Sequence, residues 1–224
     1  MLHIRNANNI MLNQVHVTNG KGYVIYVNRV NGFTFLNSRL TNSGVLGLYV
    51  GHGSNTPSTN VTIRNSVFTD NSTNAVALLG VVGNSPSSNV VEGNTFERNH
   101  HIGQWLVAPQ FRAGARDGRL LTGGGQVYIA QASNFTFRNN TIKDGSCSNC
   151  YLHNGALRTG ITGLELGLPN QASVSNGVIE NNTIFNNHGF GISLNHGSTL
   201  GNINIRNNTV YNNGVDYEST LGVN

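Results

Sequence analysis

Apolar and polar positions alternate in short runs along the whole chain, and the stretch Asn60 to Leu79 (NVTIRNSVFTDNSTNAVALL) shows the unit. Val61 and Ile63 alternate with Thr62 and Arg64, the pattern of a short strand with one buried face. Asn65 and Ser66 break the run. Val67 and Phe68 add a second apolar step, Asp70 and Asn71 break again, and Val76-Ala77-Leu78 forms a third strand. No Asn-Gly-type turn joins these strands, so they do not predict hairpins. They predict one turn of a solenoid.

The nonapeptide IRNSVFTDN, from Ile63, recurs as LNQVHVTNG from Leu12, FLNSRLTNS from Phe35 and VEGNTFERN from Val91. It recurs again as FRNNTIKDG from Phe137, IENNTIFNN from Ile179 and IRNNTVYNN from Ile205. Start-to-start spacings are 23, 28, 28, 46, 42 and 26 residues. The third strand recurs as Ile25-Tyr26-Val27, Leu48-Tyr49-Val50, Val127-Tyr128-Ile129, Leu164-Glu165-Leu166 and Ile192-Ser193-Leu194. A period in the twenties with one strand set per repeat is the signature of an all-β parallel solenoid. The leucine-rich alternative lacks its consensus, because the apolar positions here mix Ile, Val, Phe and Leu.

Two columns of the repeat read as structural. Asn37, Asn65, Asn139, Asn181 and Asn207, with Gly93, share a bend position, and both residue types tolerate a left-handed backbone. Stacked asparagines there would also hydrogen-bond along the ladder. The preceding column reads Arg64, Glu92, Arg138, Glu180, Arg206, alternating charges that predict surface ion pairs between rungs. The gap from Val91 to Phe137 has room for two rungs, so Ala108 to Gly125 reads as a degenerate rung or a long loop. Counting it predicts about eight or nine rungs. The loops at 50–60, 80–89 and 195–202 fall at one corner and would wall one side of a groove. The insertion between Ile142 and Leu164 would wall the other.

The repeat makes residues 1–224 one domain, since each rung buries its apolar face only against its neighbours. Only 10% of residues are charged, yet the sustained alternation argues against disorder. The net charge of +4 suits an acidic partner such as a polyuronate. Nucleic acid is not expected, because no basic run with interleaved aromatics occurs. Cys147 and Cys150 form a lone Cys-x-x-Cys that reads as a loop-closing disulfide, with free thiols as the alternative. No span long and apolar enough for a membrane is present, and Met1 to Leu12 lacks the apolar core of a signal peptide. The repeat runs from about Asn9 to Tyr211 with no amphipathic helix at either end, so the chain reads as a segment lacking its end caps. Flanking domains or a homo-oligomer would then cover the ends.

The I-x-N-N-T-h-x-N-N pattern of IENNTIFNN and IRNNTVYNN, followed by a G-h-x-h strand, resembles the pectate-lyase-like superfamily. The resemblance implies a single right-handed parallel β-helix. The superfamily spans polysaccharide lyases, glycoside hydrolases, uronan epimerases, phage tailspike depolymerases and non-catalytic surface proteins, and fold does not choose among them. No complete catalytic motif of one member family is present. The resemblance implies a polysaccharide partner, met outside the cytosol: extracellular, cell-surface or periplasmic.

It also implies a groove along the exposed side of the third strand. The middle residues of its triplets are Tyr26, Tyr49, Ala77, Tyr128, Glu165 and Ser193, with Trp105 added if the irregular rung is real. Aromatic faces stack on sugars and a carboxylate does acid–base work, although tyrosines favour strands in any case. Charge concentrates nearby in Arg112, Arg116, Asp117, Arg119, Lys143, Asp144, Arg158 and Glu165. Glu165 is the leading catalytic candidate, with Asp117 or Asp144 as a second carboxylate. Arg158 or Lys143 would neutralise a uronate in a lyase or epimerase, and His153 and His188 are candidate proton carriers. Acidic residues are too sparse to predict a calcium site, and no cofactor is expected.

Overall fold

The computed structural model describes residues 1–51, 56–99, 125–145, 151–153, 156–158, 161–167, 173–194, 199–214 and 222–223. Its rungs stack with each strand hydrogen-bonded to the corresponding strand of the next. Leu12 pairs with Phe35, Phe35 with Ile63, Ile63 with Val91, Val91 with Phe137, Phe137 with Ile179 and Ile179 with Ile205, all in parallel. These are the starting residues of the seven nonapeptides, so the sequence repeat and the strand register are the same thing.

Each rung has three sides. One side is a seven-stranded sheet of His16–Thr18, Arg39–Thr41, Val67–Thr69, Thr95–Glu97, Thr141–Lys143, Thr183–Phe185 and Thr209–Tyr211. The other two belong to one twelve-stranded sheet, because the third strand of one rung often runs into the first strand of the next. Ile25–Leu36 and Gly125–Arg138 are such strands. Ile25–Leu36 turns its corner at Arg29 (φ 54°) and Gly32 (φ 82°). The core is the stack of inward residues, among them Phe35, Phe68, Phe96 and Phe137, all fully buried. Ring centroids of Phe68 and Phe96 lie 5.2 Å apart, close to one rung spacing.

The expected extra rung does not separate Val91 from Phe137. Thr95–Glu97 pairs directly with Thr141–Lys143, and Val76–Val82 pairs directly with Gly125–Arg138. The described residues therefore hold seven strands on the second side, not eight or nine rungs. The insertion after Lys143 contains an antiparallel pair, Tyr151–His153 with Ala156–Arg158. Asn154-Gly155 between them is a strong hairpin signal that the solenoid reading passed over. Gly222–Val223 also runs antiparallel, against Ile192–Leu194. Cys147 and Cys150 lie outside the described residues.

The asparagines divide two tasks between neighbours. Asn37, Asn65, Asn139, Asn181 and Asn207 take φ of 48–56°, as the bend requires, and remain at the surface. The hydrogen-bonded ladder expected of them runs instead through the next residue, which points inward. Ser66 N–H donates to Asn94 Oδ1 (3.0 Å), Asn94 N–H to Asn140 Oδ1 (2.9 Å), Asn140 N–H to Asn182 Oδ1 (2.9 Å) and Asn182 N–H to Asn208 Oδ1 (2.9 Å). Each amide nitrogen then donates to a backbone carbonyl, as Asn140 does to Val91 (3.0 Å). This satisfies corner groups that would otherwise be buried without partners. It also accounts for the Asn-Asn doublets: one residue for the conformation, the next for the hydrogen bonds.

A second ladder runs at the following corner through Ser43, Asn71, Asn99, Asn187 and Asn213. Its place between Asn99 and Asn187 belongs to Gly145, which has no side chain. Gln126 reaches in from the third strand instead. Its Oε1 accepts from Asn99 N–H (3.0 Å) and its Nε2 donates to Asn187 Oδ1 (2.8 Å). A Cβ on Gly145 would stand 2.8 Å from Gln126 Nε2, so the glycine makes room for the substitute.

The expected charge ladder is present. Arg64 and Arg138 both pair with Glu92 (3.1 and 2.8 Å), and Arg206 pairs with Glu180 (2.7 Å). These pairs are partly exposed and contribute little, about 0–1 kcal/mol each.

Two stability outcomes follow. Asn140→Ala removes an acceptor for Asn94 and a donor to Val91, and is expected to cost on the order of 3 kcal/mol in urea unfolding. Asn139→Gly, one residue earlier, is expected to cost less than about 1 kcal/mol because glycine accepts the same φ. Similar costs for the two would refute the division of tasks. Gln126→Ala is expected to lower the melting temperature, and Gly145→Asn in that background to restore part of the loss. Purely additive effects would show that Gln126 does not stand in for the missing asparagine.

Candidate functional site on the third side

The parallel register lines up the middle residues of the third strands. His3 lies beside Tyr26, Tyr26 beside Tyr49, Tyr49 beside Ala77, Ala77 beside Tyr128, Tyr128 beside Glu165 and Glu165 beside Ser193. Their neighbours on either side, such as Val127 and Ile129, point into the core, so this column points away from it. Alternation on a strand enforces the arrangement.

The column is not an open groove along its length. Tyr26 and Tyr49 are half-buried, but Tyr128 is 2% and Glu165 8% exposed. Tyr128 belongs to a second apolar cluster outside the solenoid core, with Leu46, Ala77 and Ala130, against which Tyr23, Val45, Tyr49 and Leu79 pack. The expectation that Tyr128 and Glu165 face solvent is therefore corrected. Gly125 sits opposite Thr162 beside them, and a Cβ there would lie 3.0 Å from Glu165 Cβ.

The aromatic faces are also not free for sugars. The Tyr26 and Tyr49 rings stack on each other at 4.9 Å and 3°. Tyr23 sets its ring nearly perpendicular to both, at 5.9 and 5.8 Å, and His3 meets Tyr26 edge to face at 5.0 Å. Rung spacing matches ring stacking, so the rings satisfy one another along the axis. What they offer outward is ring edges and hydroxyls. Gly51 permits this packing, since a Cβ on it would fall 2.4 Å from the Tyr49 ring.

Burial sets the electrostatics. Burial raises the Tyr49 phenol to about 12, with smaller contributions from Tyr26 and Tyr23. Tyr23 is raised for the same reasons, burial first and Tyr26 second. Tyr128 is raised further by burial, then by the negative charge of Glu165 and by Tyr49. Its hydroxyl has no hydrogen-bond partner among the described residues. Tyr128 is therefore held as a neutral phenol beside a buried carboxyl group, and of the two only the carboxyl group is suited to exchange a proton.

The other candidates scatter. Lys143 and Asp144 belong to a charged row at the end of the second side. Lys143 lies 3.5 Å from Glu97 and 3.7 Å from Asp144, and Asp144 accepts from Asn186 (3.2 Å). Arg98 extends that row, pairing with Asp70 (2.9 Å) and with Glu97. The expectation that Lys143 and Asp144 join Glu165 is thus not met by their polar contacts, because the corner after Lys143 keeps them on the seven-stranded sheet. His153 and Arg158 lie on the antiparallel pair. His188 is exposed at a corner, its N–H donating to the Gly145 carbonyl. Ser193 is half-buried. Trp105, Arg112, Arg116 and Asp117 lie outside the described residues. No metal-binding cluster occurs among the described residues.

Sequence reasoning missed one group. At the start of the column, His3, Arg5, Tyr23, Asn28 and Arg29 gather with Tyr26 and Tyr49 around an open pocket of about 460 Å³. Tyr23, three residues before Tyr26, was a visible signal. So was the absence of any acidic residue before Asp70.

Strands stacked in parallel register around a three-sided core define this chain as a parallel β-helix. It belongs to the right-handed β-helix family, whose pattern it matches over residues 1–222. That family includes polysaccharide-active enzymes. Neither the curated proteins nor the solved structures give a match to the chain.

The raised tyrosines give a pH test. A phenol whose folded pKa exceeds its unfolded value of about 10 stabilises the fold below that value, and the contribution is lost as pH rises toward the folded pKa. Stability is therefore expected to fall between pH 10 and about 12, the value for Tyr49. Absorbance at the phenolate band is expected to show Tyr49 and Tyr128 ionising only with alkaline unfolding, read by their Phe variants. Early, reversible titration of both would contradict the burial.

Proposed function

We propose that the protein acts on a polysaccharide outside the cytosol. The glycan lies along the third side and is cleaved, by hydrolysis or β-elimination, with Glu165 as the acid–base group. The observation that carries this reading is the straight outward column from His3 to Ser193, which sets polar aromatic edges in line with one buried carboxyl group. A rigid strand holds Glu165 in place, beside a Tyr128 that stays a neutral phenol and leaves the acid–base role to the carboxyl group.

A second reading is non-catalytic glycan binding. The 8% exposure of Glu165 favours it, together with the engagement of Asp144 in the other charged row. In this reading the open tyrosine end makes the contact.

A glycan panel assayed for new reducing ends and for unsaturated uronate absorbance separates the two. Under the catalytic reading Glu165→Gln lowers turnover by about 100-fold or more with folding intact. Glu180→Gln, which changes only a ladder charge, leaves turnover within about twofold. Equal activity of the two variants removes Glu165 from the chemistry. Retained binding with no product from the wild-type chain selects the second reading.

A further inference from the structure

The pocket at the beginning of the column differs from the rest of the third side in charge. Two outward columns meet there: His3, Tyr26 and Tyr49 in one, and Arg5, Asn28 and Gly51 in the other. Arg5 and Asn28 are register partners on adjacent rungs, and Gly51 leaves the next position in that column without a side chain. Arg29 stands at the corner beside them, and the tyrosine trio forms the other wall. The volume of about 460 Å³ lies within the usual range of small-molecule sites.

Three observations specify what would fit. First, residues 1–69 contain five Lys or Arg and no Asp or Glu, so the first rungs carry an excess of positive charge. Arg5 forms no ion pair among the described residues, and a cleft lined by one sign of charge concentrates ions of the other. Second, Asn28 is 7% exposed and its side-chain oxygen has no donor among the described residues. It calls for a hydroxyl or N–H from a ligand. Third, the tyrosines present edges and hydroxyls, not open faces, which favours hydrogen bonding over stacking.

We infer that this pocket is an anchoring subsite for an acidic sugar unit. Arginine guanidinium groups hold the carboxylate or sulfate of the sugar, and a sugar hydroxyl donates to Asn28. The inference rests on the reading that the third side binds polysaccharide, and it adds the substrate class. The subsite lies four rungs from Glu165, roughly 19 Å along the axis, so it grips the chain away from the candidate chemistry.

Calorimetric titration of the full chain tests it with four probes: a polygalacturonate oligomer, a sulfated dextran oligomer, a neutral dextran oligomer and inorganic sulfate. At least one acidic oligomer is expected to bind at least tenfold more tightly than both the neutral oligomer and inorganic sulfate, and the tighter acidic oligomer identifies the anion. Arg5→Gln and Arg29→Asn, the latter chosen because asparagine accepts the φ of 54° at that corner, are each expected to weaken binding at least fivefold. Arg39→Gln on the second side removes the same charge and is expected to change it less than twofold. Unchanged melting temperatures exclude unfolding as the cause. Equal binding of neutral and acidic oligomers overturns the subsite and leaves the glycan reading standing. Inorganic sulfate binding as tightly as the oligomers overturns the sugar contact. No binding of any oligomer overturns both the subsite and the reading beneath it. An Arg39→Gln loss as large as that of Arg5→Gln overturns the location.

Discussion

The corner hydrogen bond is the interaction on which the rest depends. A solenoid rung must turn sharply, and each turn leaves a buried N–H that no strand can satisfy. Here an inward asparagine on the next rung accepts it, and the same side chain donates to a carbonyl of the preceding turn. The bond forms only when adjacent rungs are in one register. Every residue of the rung is thereby fixed against its counterpart, including the outward residues that the core does not constrain. The alignment of Tyr26, Tyr49, Tyr128 and Glu165 is a consequence of inward serines and asparagines on the opposite side of the rung, Ser38 and Ser66 accepting the corner N–H at the first rungs and Asn94, Asn140 and Asn182 beyond them.

Much of this was legible in the chain. The nonapeptide starts coincide with the strand register because a solenoid translates sequence spacing directly into vertical stacking. Alternation identified the outward column for the same reason. The Val91 to Phe137 gap was not legible, because length alone does not say whether the strands that flank it pair directly, as Thr95 and Thr141 do. The task of Gln126 was hidden because its partner Asn99 lies 27 residues away and Gln126 belongs to a different strand of the rung from the asparagines it joins.

The site was only half legible. Spacing gives which residues face outward but not what packs over them, so Tyr128 and Glu165 read as exposed and are buried. Spacing also gives no ring orientation. The tyrosines read as sugar platforms, yet the match between rung spacing and ring stacking turns their faces toward one another. The pocket at the first rungs depends on side chains from two adjacent columns, and reading one column at a time separates them.

The third side is proposed as the glycan face. Hydroxyl-radical footprinting in the presence of a saturating oligosaccharide tests this most directly, because reactive tyrosines lie on two sides of the solenoid. Tyr23, Tyr26 and Tyr49 line the third side, whereas Tyr211 lies 44% exposed on the second, stacked on Phe185. Oligosaccharide is expected to lower oxidation of the three and leave Tyr211 unchanged. Protection of Tyr211 with the three unaffected would place the glycan on the wrong side and contradict this assignment.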